Sequence, residues 1–486
     1  MITSTYARHA EAHPDKIAIH TAGEQITYRA WHELVCRTAN WFSEKIEGRG
    51  KVGLFVPNGI PFLQLFAGAA MAGQIAVPFD VKWKANELQQ RLDLAKPSFL
   101  ITTKRLASRF HGMDTEVFFW EEIAEEIQRS ANSWNEEEDE ERLFYIGFTS
   151  GTTGRPKAFV RSDRSWVQSF SSSQYDFQLN GMDEVLIPGA LVHSHFLYGA
   201  ICGLYFGSSV YILETFSPVT ALQRINDYPI SVLYVVPTMV EAMAANGTRM
   251  VKHLTIISSG AKWNEHSKEK IHSQFPNITM YEFYGSSETS FITYSNNESN
   301  RKKPASVGEA CKHVELQIRD ADGRVVETGC VGKVYVRSPF LFSGYIQPPH
   351  DELRSIEDEA GWITVDDIGY LDEEGFLYLN GRENSMIICG GENVYPEEIE
   401  AVLHAHPGVE EAAVIGVEDS YWGQVPVAFI RGDASKQQLQ KHCLAHLSTF
   451  KCPRRWQFID QFPYTTSGKI ERYRLRQLLL GEAMEH

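Results

Sequence analysis

A chain of 486 residues exceeds what one hydrophobic core supports, so more than one domain is expected. With 43% hydrophobic and 22% charged residues it has the composition of an ordinary globular protein, and its formal net charge of -16 argues against sequence-independent binding of nucleic acid, which needs a basic face. Seven scattered cysteines without a Cys-x-x-Cys pair argue against zinc and against a disulfide framework, and fit reduced thiols in a cytoplasm.

From the N-terminus onward, Met1-Ile2-Thr3-Ser4-Thr5-Tyr6 lacks a basic start followed by an apolar run, so no signal peptide is expected. Residues 51–56 read as a strand and 61–72 as a helix. The most apolar stretch, 62–79, is interrupted by Gln64, Gln74 and Pro78, and reads as a buried helix running into a buried strand at 75–78, not as a membrane span. Further strands are expected at 98–102, 209–213, 231–236 and 254–257. Strands alternating with helical patterns imply an α/β class with parallel-rich sheets under helical cover. The acidic run at 136–141 reads as a solvated loop, because like charges in a block do not pack. From about Val314, strand follows strand with turns at Asp322-Gly323 and Thr328-Gly329, which predicts a small antiparallel region.

After Gly381-Arg382-Glu383-Asn384 a second, smaller α+β domain is expected, so the domains run 1–381 and 385–486. Its first helix opens at Tyr395-Pro396-Glu397-Glu398, where proline suits the first turn and the acids suit the helix N-terminus. Strands at 412–417, 425–430 and 456–459 and helices at 437–447 and from Glu471 complete it.

One loop stands out chemically. Phe148-Thr149-Ser150-Gly151-Thr152-Thr153-Gly154-Arg155-Pro156-Lys157 carries four hydroxyls, two glycines and a lysine. Glycines let backbone N–H groups approach oxyanions closely, hydroxyls donate further hydrogen bonds and lysine supplies charge. These are the parts of a polyphosphate cradle, although no Gly-Lys-Ser/Thr ends it as in a Walker A loop.

The loop resembles the phosphate-loop signature of the adenylate-forming superfamily, which includes acyl-CoA synthetases, peptide-synthetase adenylation domains and luciferases. Further segments in matching order extend the resemblance over nearly the whole chain: Ser258-Ser259-Gly260-Ala261-Lys262, Tyr284-Gly285-Ser286-Ser287-Glu288-Thr289, Asp366-Asp367-Ile368-Gly369-Tyr370 within 362–382, and Thr465-Thr466-Ser467-Gly468-Lys469-Ile470. The resemblance implies that Thr149, Ser150, Gly151, Thr152, Thr153, Gly154 and Lys157 hold the ATP phosphates. Gly260 and Ala261 would border the adenine and Tyr284 would stack on it, with Gly285 and Ser287 beside the nucleotide. Asp367 would grip both ribose hydroxyls, since one carboxylate accepts two hydrogen bonds, and Arg382 would contact ribose or phosphate. Thr152 and Glu288 are the implied Mg²⁺ ligands, hard oxygens for a hard cation.

Lys469 matches the adenylation lysine, which bridges the substrate carboxylate and the α-phosphate, where charge builds on the non-bridging oxygens. Gly390, Gly391 and Glu392 would line the CoA tunnel. Asn384, two positions after Arg382, would be the hinge on which a mobile C-terminal domain turns between acyl-AMP formation and thioester formation. Three positions depart from the usual pattern. Ala158 and Asp366 stand where glycine is usual, and Asn384 stands where lysine or aspartate is commoner. The first two remove no functional group, and Asp366 adds a negative charge near the ribose.

The implied activity is ATP-dependent conversion of a carboxylic acid to acyl-AMP, then to a CoA thioester, with release of pyrophosphate and AMP. Pro188-Gly189-Ala190-Leu191-Val192-His193-Ser194-His195-Phe196 falls where the superfamily has its acyl pocket, and His193 or His195 is the candidate gate. The competing readings are a His-x-His metal site and a histidine satisfied within the core. No aspartate lies between Leu186 and Phe206 to pair with a substrate ammonium, so a fatty or aromatic acid is favoured over an amino acid. Two other functions compete. One is loading of a carrier-protein phosphopantetheine, for which Arg454 and Arg455 serve as well as they serve CoA. The other is a non-catalytic acyl-nucleotide sensor, against which the presence of Thr152, Lys157, Glu288, Asp367, Arg382 and Lys469 stands.

Overall fold

The computed structural model describes the chain except residues 112–114, 136–138, 140, 151–155, 248–249, 260–262, 264, 348–351, 390–391, 420–421, 466–467 and 481–486, and except the side chains at 150, 265–267, 270, 384, 393 and 480. Most of the acidic run at 136–141 thus lies outside the described residues. The chain divides into two compact units. One comprises Met1–Glu315 and Val336–Gly361, the other Leu316–Tyr335 and Trp362–His486.

Two large sheets build the first unit. In the nine-stranded sheet the strands Glu184–Ile187, Val232–Val235, Leu254–Ser258 and Ile278–Ser286 are parallel neighbours. Their apolar residues are buried on both faces, as a helix-covered parallel sheet requires. Because these strands run the same way, their carboxyl ends share one edge. The segments that follow them, which hold residues 188–193, Val236, Ser259 and 287–289, lie along that edge, the usual ligand side of an open α/β sheet. The eight-stranded sheet sets Lys51–Phe55 parallel to Ile75–Pro78 and Phe99–Thr102, and adds Leu143–Ser150 beside Ile75–Pro78. The apolar stretch at 62–79 is the buried helix Ile60–Met71, opened by a proline in its first turn, and the buried strand Ile75–Pro78. Among the described residues no helix is long and apolar enough to cross a membrane.

A four-stranded sheet, Glu315–Arg319, Gly332–Arg337, Asp367–Leu371 and Leu377–Arg382, lies in the second unit except for Glu315, Val336 and Arg337. The strands Gly344–Gln347 and Glu352–Arg354, although within the antiparallel stretch of sequence, join the eight-stranded sheet instead. A five-stranded sheet carries the helices Pro396–His404 and Lys436–His446 over a core of Ile399, Leu403, Val414, Ile430 and Leu439. Ser435 and Gln438 form a capping box that starts the second helix. Residues 381–385, where the sequence suggests a domain boundary, lie inside this unit: Leu377–Arg382 packs against Pro396–His404, with Gly381 against Tyr395 and Glu397.

Candidate active site

The candidate phosphate loop is the tip of a β-hairpin. Leu143–Ser150 pairs antiparallel with Pro156–Ser162, Thr149 opposite Lys157 and Ser150 opposite Pro156. Thr149 and Lys157 therefore flank the connection 151–155. Gly151, Thr152, Thr153 and Gly154 lie outside the described residues, as do Gly260, Ala261, Gly390 and Gly391. Ala158 is fully buried in a cluster with Phe79, Ile146 and Val160, so its methyl group faces the core.

Glu288 is tied to this hairpin by residues that the motifs do not name. Tyr345 donates its hydroxyl proton to Glu288 Oε1 over 2.6 Å. The strand Gly344–Gln347 pairs with Pro156–Ser162, Tyr345 opposite Phe159. This register also brings the Tyr345 ring centroid to 5.1 Å from Lys157 Nζ. Arg161, 1% exposed, donates to the carbonyls of Ser287 at 3.1 Å, Glu288 at 3.4 Å and Phe340 at 2.6 Å, and to the Ser290 hydroxyl. Burial lowers its pKa to about 10, which leaves it cationic at neutral pH. A charge directly following the apolar run Ala158-Phe159-Val160 within one strand was the available signal, because a buried charge needs partners.

The turn carrying Glu288 is held locally as well. Ser286 N donates to Thr289 Oγ1 at 3.0 Å, and Glu288 N donates to Ser286 Oγ at 3.2 Å. Tyr284 is half-buried at the end of its strand. At Gly285 the backbone comes so close to the next strand that a Cβ would lie 1.8 Å from Ser290 O, so glycine alone fits the irregularity there. The Glu288 carboxylate suits Mg²⁺. It is a buried hard-oxygen donor anchored through one oxygen, and Mg²⁺ commonly takes one or two carboxylates together with substrate phosphates and water. Among the described residues no group of three His, Cys, Asp or Glu side chains could hold a metal by itself.

Asn58 organises the segment that leads to the candidate acyl gate. It donates to Gly189 O at 2.9 Å and Leu213 O at 3.1 Å, and accepts from Leu191 N at 2.8 Å. His193 occupies the N-cap position of the helix Ser194–Phe206 without a side-chain capping hydrogen bond. His195, in its first turn, donates from Nε2 to Val235 O at 3.0 Å. Burial lowers the His195 pKa to about 4, against the smaller opposing effect of that hydrogen bond, so the ring is neutral at physiological pH. Its centroid lies 5.4 Å from the Tyr234 ring and 5.7 Å from Phe283. These contacts commit one His195 nitrogen to the backbone and set its ring among aromatic side chains.

In the second unit Asp367 and Arg382 are register partners in an antiparallel pair. Arg382 Nε donates to Asp367 Oδ1 at 3.0 Å, and Asp367 is 5% exposed. Asp366 has φ 64°, the left-handed conformation that glycine adopts most readily, so it keeps the backbone path despite its side chain. Lys333 meets the added charge, its Nζ 3.6 Å from Asp366 Oδ1 and 2.6 Å from Glu383 Oε2. Lys469 is exposed and sits in a tight turn: Thr465 N donates to Lys469 O at 2.8 Å, Lys469 N donates to Thr465 Oγ1 at 3.2 Å, and Gly468 takes φ 80°. Glu392 is exposed at the start of the strand Glu392–Val394, and Asn384 lies in the single turn Glu383–Ser385.

Residues 6–346 match the AMP-binding enzyme family, and residues 398–469 match the AMP-binding enzyme C-terminal domain. The chain is 45% identical over 478 residues to an uncharacterized acyl–CoA ligase, YhfT, of Bacillus subtilis (strain 168), with 98% of each chain covered. It superposes with TM-score 0.87 and 25% identity on o-succinylbenzoate CoA synthetase (MenE) from Bacillus subtilis in complex with its acyl-adenylate intermediate, over 97% of each chain. The same enzyme in complex with ATP and magnesium ion gives TM-score 0.86 at 25% identity, over 97% of this chain and 98% of that one. The chain belongs to the AMP-binding enzyme family, and within it to the acyl–CoA ligases, which activate a carboxylic acid with ATP and transfer the acyl group to CoA.

Proposed function

We propose that the chain is an ATP-dependent ligase for a fatty or aromatic acid, in which the hairpin at 143–162 and Glu288 serve the ATP phosphates and the Asp367–Arg382 pair serves the ribose. The observation that carries this reading is the convergence of Lys157, Tyr345 and Glu288 beside the hydroxyl- and glycine-rich connection. An aromatic acid is supported by the o-succinylbenzoate-activating neighbour and by the aromatic surroundings of His195.

In the first half-reaction a carboxylate oxygen of the substrate attacks the α-phosphorus of ATP and pyrophosphate leaves. No protein nucleophile is needed, so the residues act by positioning and by charge. Lys157, Thr149 and the rest of the loop hold the phosphates. Lys469 faces the charge that grows on the α-phosphate oxygens. Asp367 accepts from the ribose hydroxyls, and Arg382, which already orients that carboxylate, lies beside them. Glu288 and Thr152 would hold Mg²⁺, which would supply neutralisation of phosphate charge. In the second half-reaction the CoA sulfur attacks the acyl carbonyl, AMP departs, and Gly390, Gly391 and Glu392 border the thiol's path. Asn384 is the hinge between the two arrangements. The scattered cysteines fit this chemistry in the reducing cytoplasm, where both co-substrates are available.

The test is ATP-dependent AMP release across short to long aliphatic and aromatic acids, with and without CoA, for the native chain and Lys469→Ala. One acid class should give CoA-dependent AMP. Lys469→Ala should lose adenylation by roughly a hundredfold or more, the scale of removing one fixed charge-stabilising group, while converting supplied acyl-AMP and CoA nearly as the native chain does. Pyrophosphate release without CoA-dependent AMP would move the acceptor to a carrier protein. Silence with every acid, or equal loss of both half-reactions in the folded variant, would overturn the reading.

A further inference from the structure

We propose that Tyr234 closes the inner end of the acyl site and restricts the enzyme to compact acids, aromatic ones above all, excluding long aliphatic chains. This rests on the acyl group entering beside His193 and His195.

The helix Ser194–Phe206 and the strand Val232–Val235 face each other behind that entrance. Three residues form its rim: His195, Phe283 and Val236 are all half-buried. Directly inward from His195 lies Tyr234, only 1% exposed. Its ring presses face-on against the helix at Gly199, where an added Cβ would sit 2.6 Å from the ring carbon Cγ. Glycine at 199 thus makes room for the ring, and the ring fills the space that an extended alkyl tail would need. Neither partner can retreat, because the helix around Gly199 is buried on every side.

What lies past the ring also opposes a long tail. The Tyr234 hydroxyl is buried and finds no hydrogen-bond partner among the described residues, and the neighbouring hydroxyls of Tyr198, Ser169 and Ser173 are already paired with one another. There the Tyr198 hydroxyl accepts from Ser169 at 3.0 Å and pairs with Ser173 at 2.9 Å. An alkyl chain pushed into this cluster would leave buried hydroxyls without partners, which is costly. The rim favours a flat, uncharged group instead. His195 is flanked by Phe196, Tyr234 and Phe283, and the Phe283 ring packs at 4.7 Å on Phe291. Aromatic walls of this kind accept another ring edge-on or offset.

The experiment is the chain-length profile of CoA-dependent AMP release, with benzoate, hexanoate and dodecanoate as probes, for the native chain, Tyr234→Phe, Tyr234→Leu and Tyr234→Ala, each checked for folding by its melting temperature. The native chain and Tyr234→Phe should both prefer benzoate, because the ring remains. Tyr234→Leu and Tyr234→Ala should raise the dodecanoate-to-benzoate ratio of kcat/KM by about tenfold or more, the scale at which a hydrophobic pocket discriminates by size. A native chain that uses dodecanoate as well as benzoate overturns the proposal. So does either smaller side chain, in a folded variant active on benzoate, leaving the ratio unchanged. If no acid yields CoA-dependent AMP with the native chain, the ligase reading fails and this proposal falls with it.

Discussion

Tyr345 joins two residues that the sequence motifs name separately. Its hydroxyl anchors one oxygen of Glu288 and its ring lies beside the Lys157 ammonium. Groups that orient a metal-binding carboxylate commonly change metal affinity roughly 10–100-fold when removed. Tyr345→Phe should therefore raise the Mg²⁺ concentration needed for half-maximal ATP–pyrophosphate exchange by about tenfold, while the rate at saturating Mg²⁺ changes little. Calorimetric titration of Mg²⁺ into the enzyme with a non-hydrolysable ATP analogue should weaken in parallel. An unchanged Mg²⁺ dependence would show that Glu288 keeps its pose without the hydroxyl. Single residues were the most legible scale in the sequence when their chemistry was local. Asp366 announced itself as a departure from glycine, and its φ of 64° shows why the substitution is tolerated. Tyr345 gave no such sign, because its meaning depends on a strand register that brings it to a carboxylate 57 positions away.

At the scale of elements, the strand Pro156–Ser162 does two jobs. It forms one arm of the loop hairpin and, through Arg161, fastens the turn that carries Glu288. Arg161→Met would leave the carbonyls of Ser287 and Phe340 without their buried donor, and each unpaired buried group costs about 1–3 kcal/mol. A lower melting temperature and a shallower adenylation rate are expected, with Arg161→Lys recovering part of the stability. Equal melting temperatures for native and Arg161→Met chains would mean that water or another donor replaces the guanidinium. The strands near 51, 75 and 99 were readable as apolar runs between turn residues, as was the helix Ile60–Met71. The helix Tyr28–Lys45 was not read. Its buried face mixes aromatic, β-branched and small side chains with Thr38 instead of forming a uniform aliphatic stripe, and its start rests on Thr27 accepting from Ala30 N at 3.3 Å.

For the whole molecule, the proposed two-step chemistry needs the C-terminal part to change its arrangement between half-reactions, with Asn384 absorbing the change. Proline fixes φ near −65° and removes the backbone donor. Asn384→Pro should therefore suppress thioester formation more than adenylation, measured as CoA-dependent AMP release against pyrophosphate exchange. Equal loss of both would reject the hinge.

The sequence by itself determined the chemical inventory and its order along the chain: the hydroxyl- and glycine-rich loop, Tyr284 and Glu288, Asp367 and Arg382, and Lys469. Each of these candidates sits in a short contiguous segment, so it can be named from local residue types alone. Tertiary structure alone decided what supports and shapes them. Strand order set Gly344–Gln347 beside the hairpin, buried Arg161 against residues 126 to 179 positions away, and turned the Tyr234 ring onto Gly199. Such contacts follow from register and close packing between distant segments, which no local pattern of polar and apolar residues encodes.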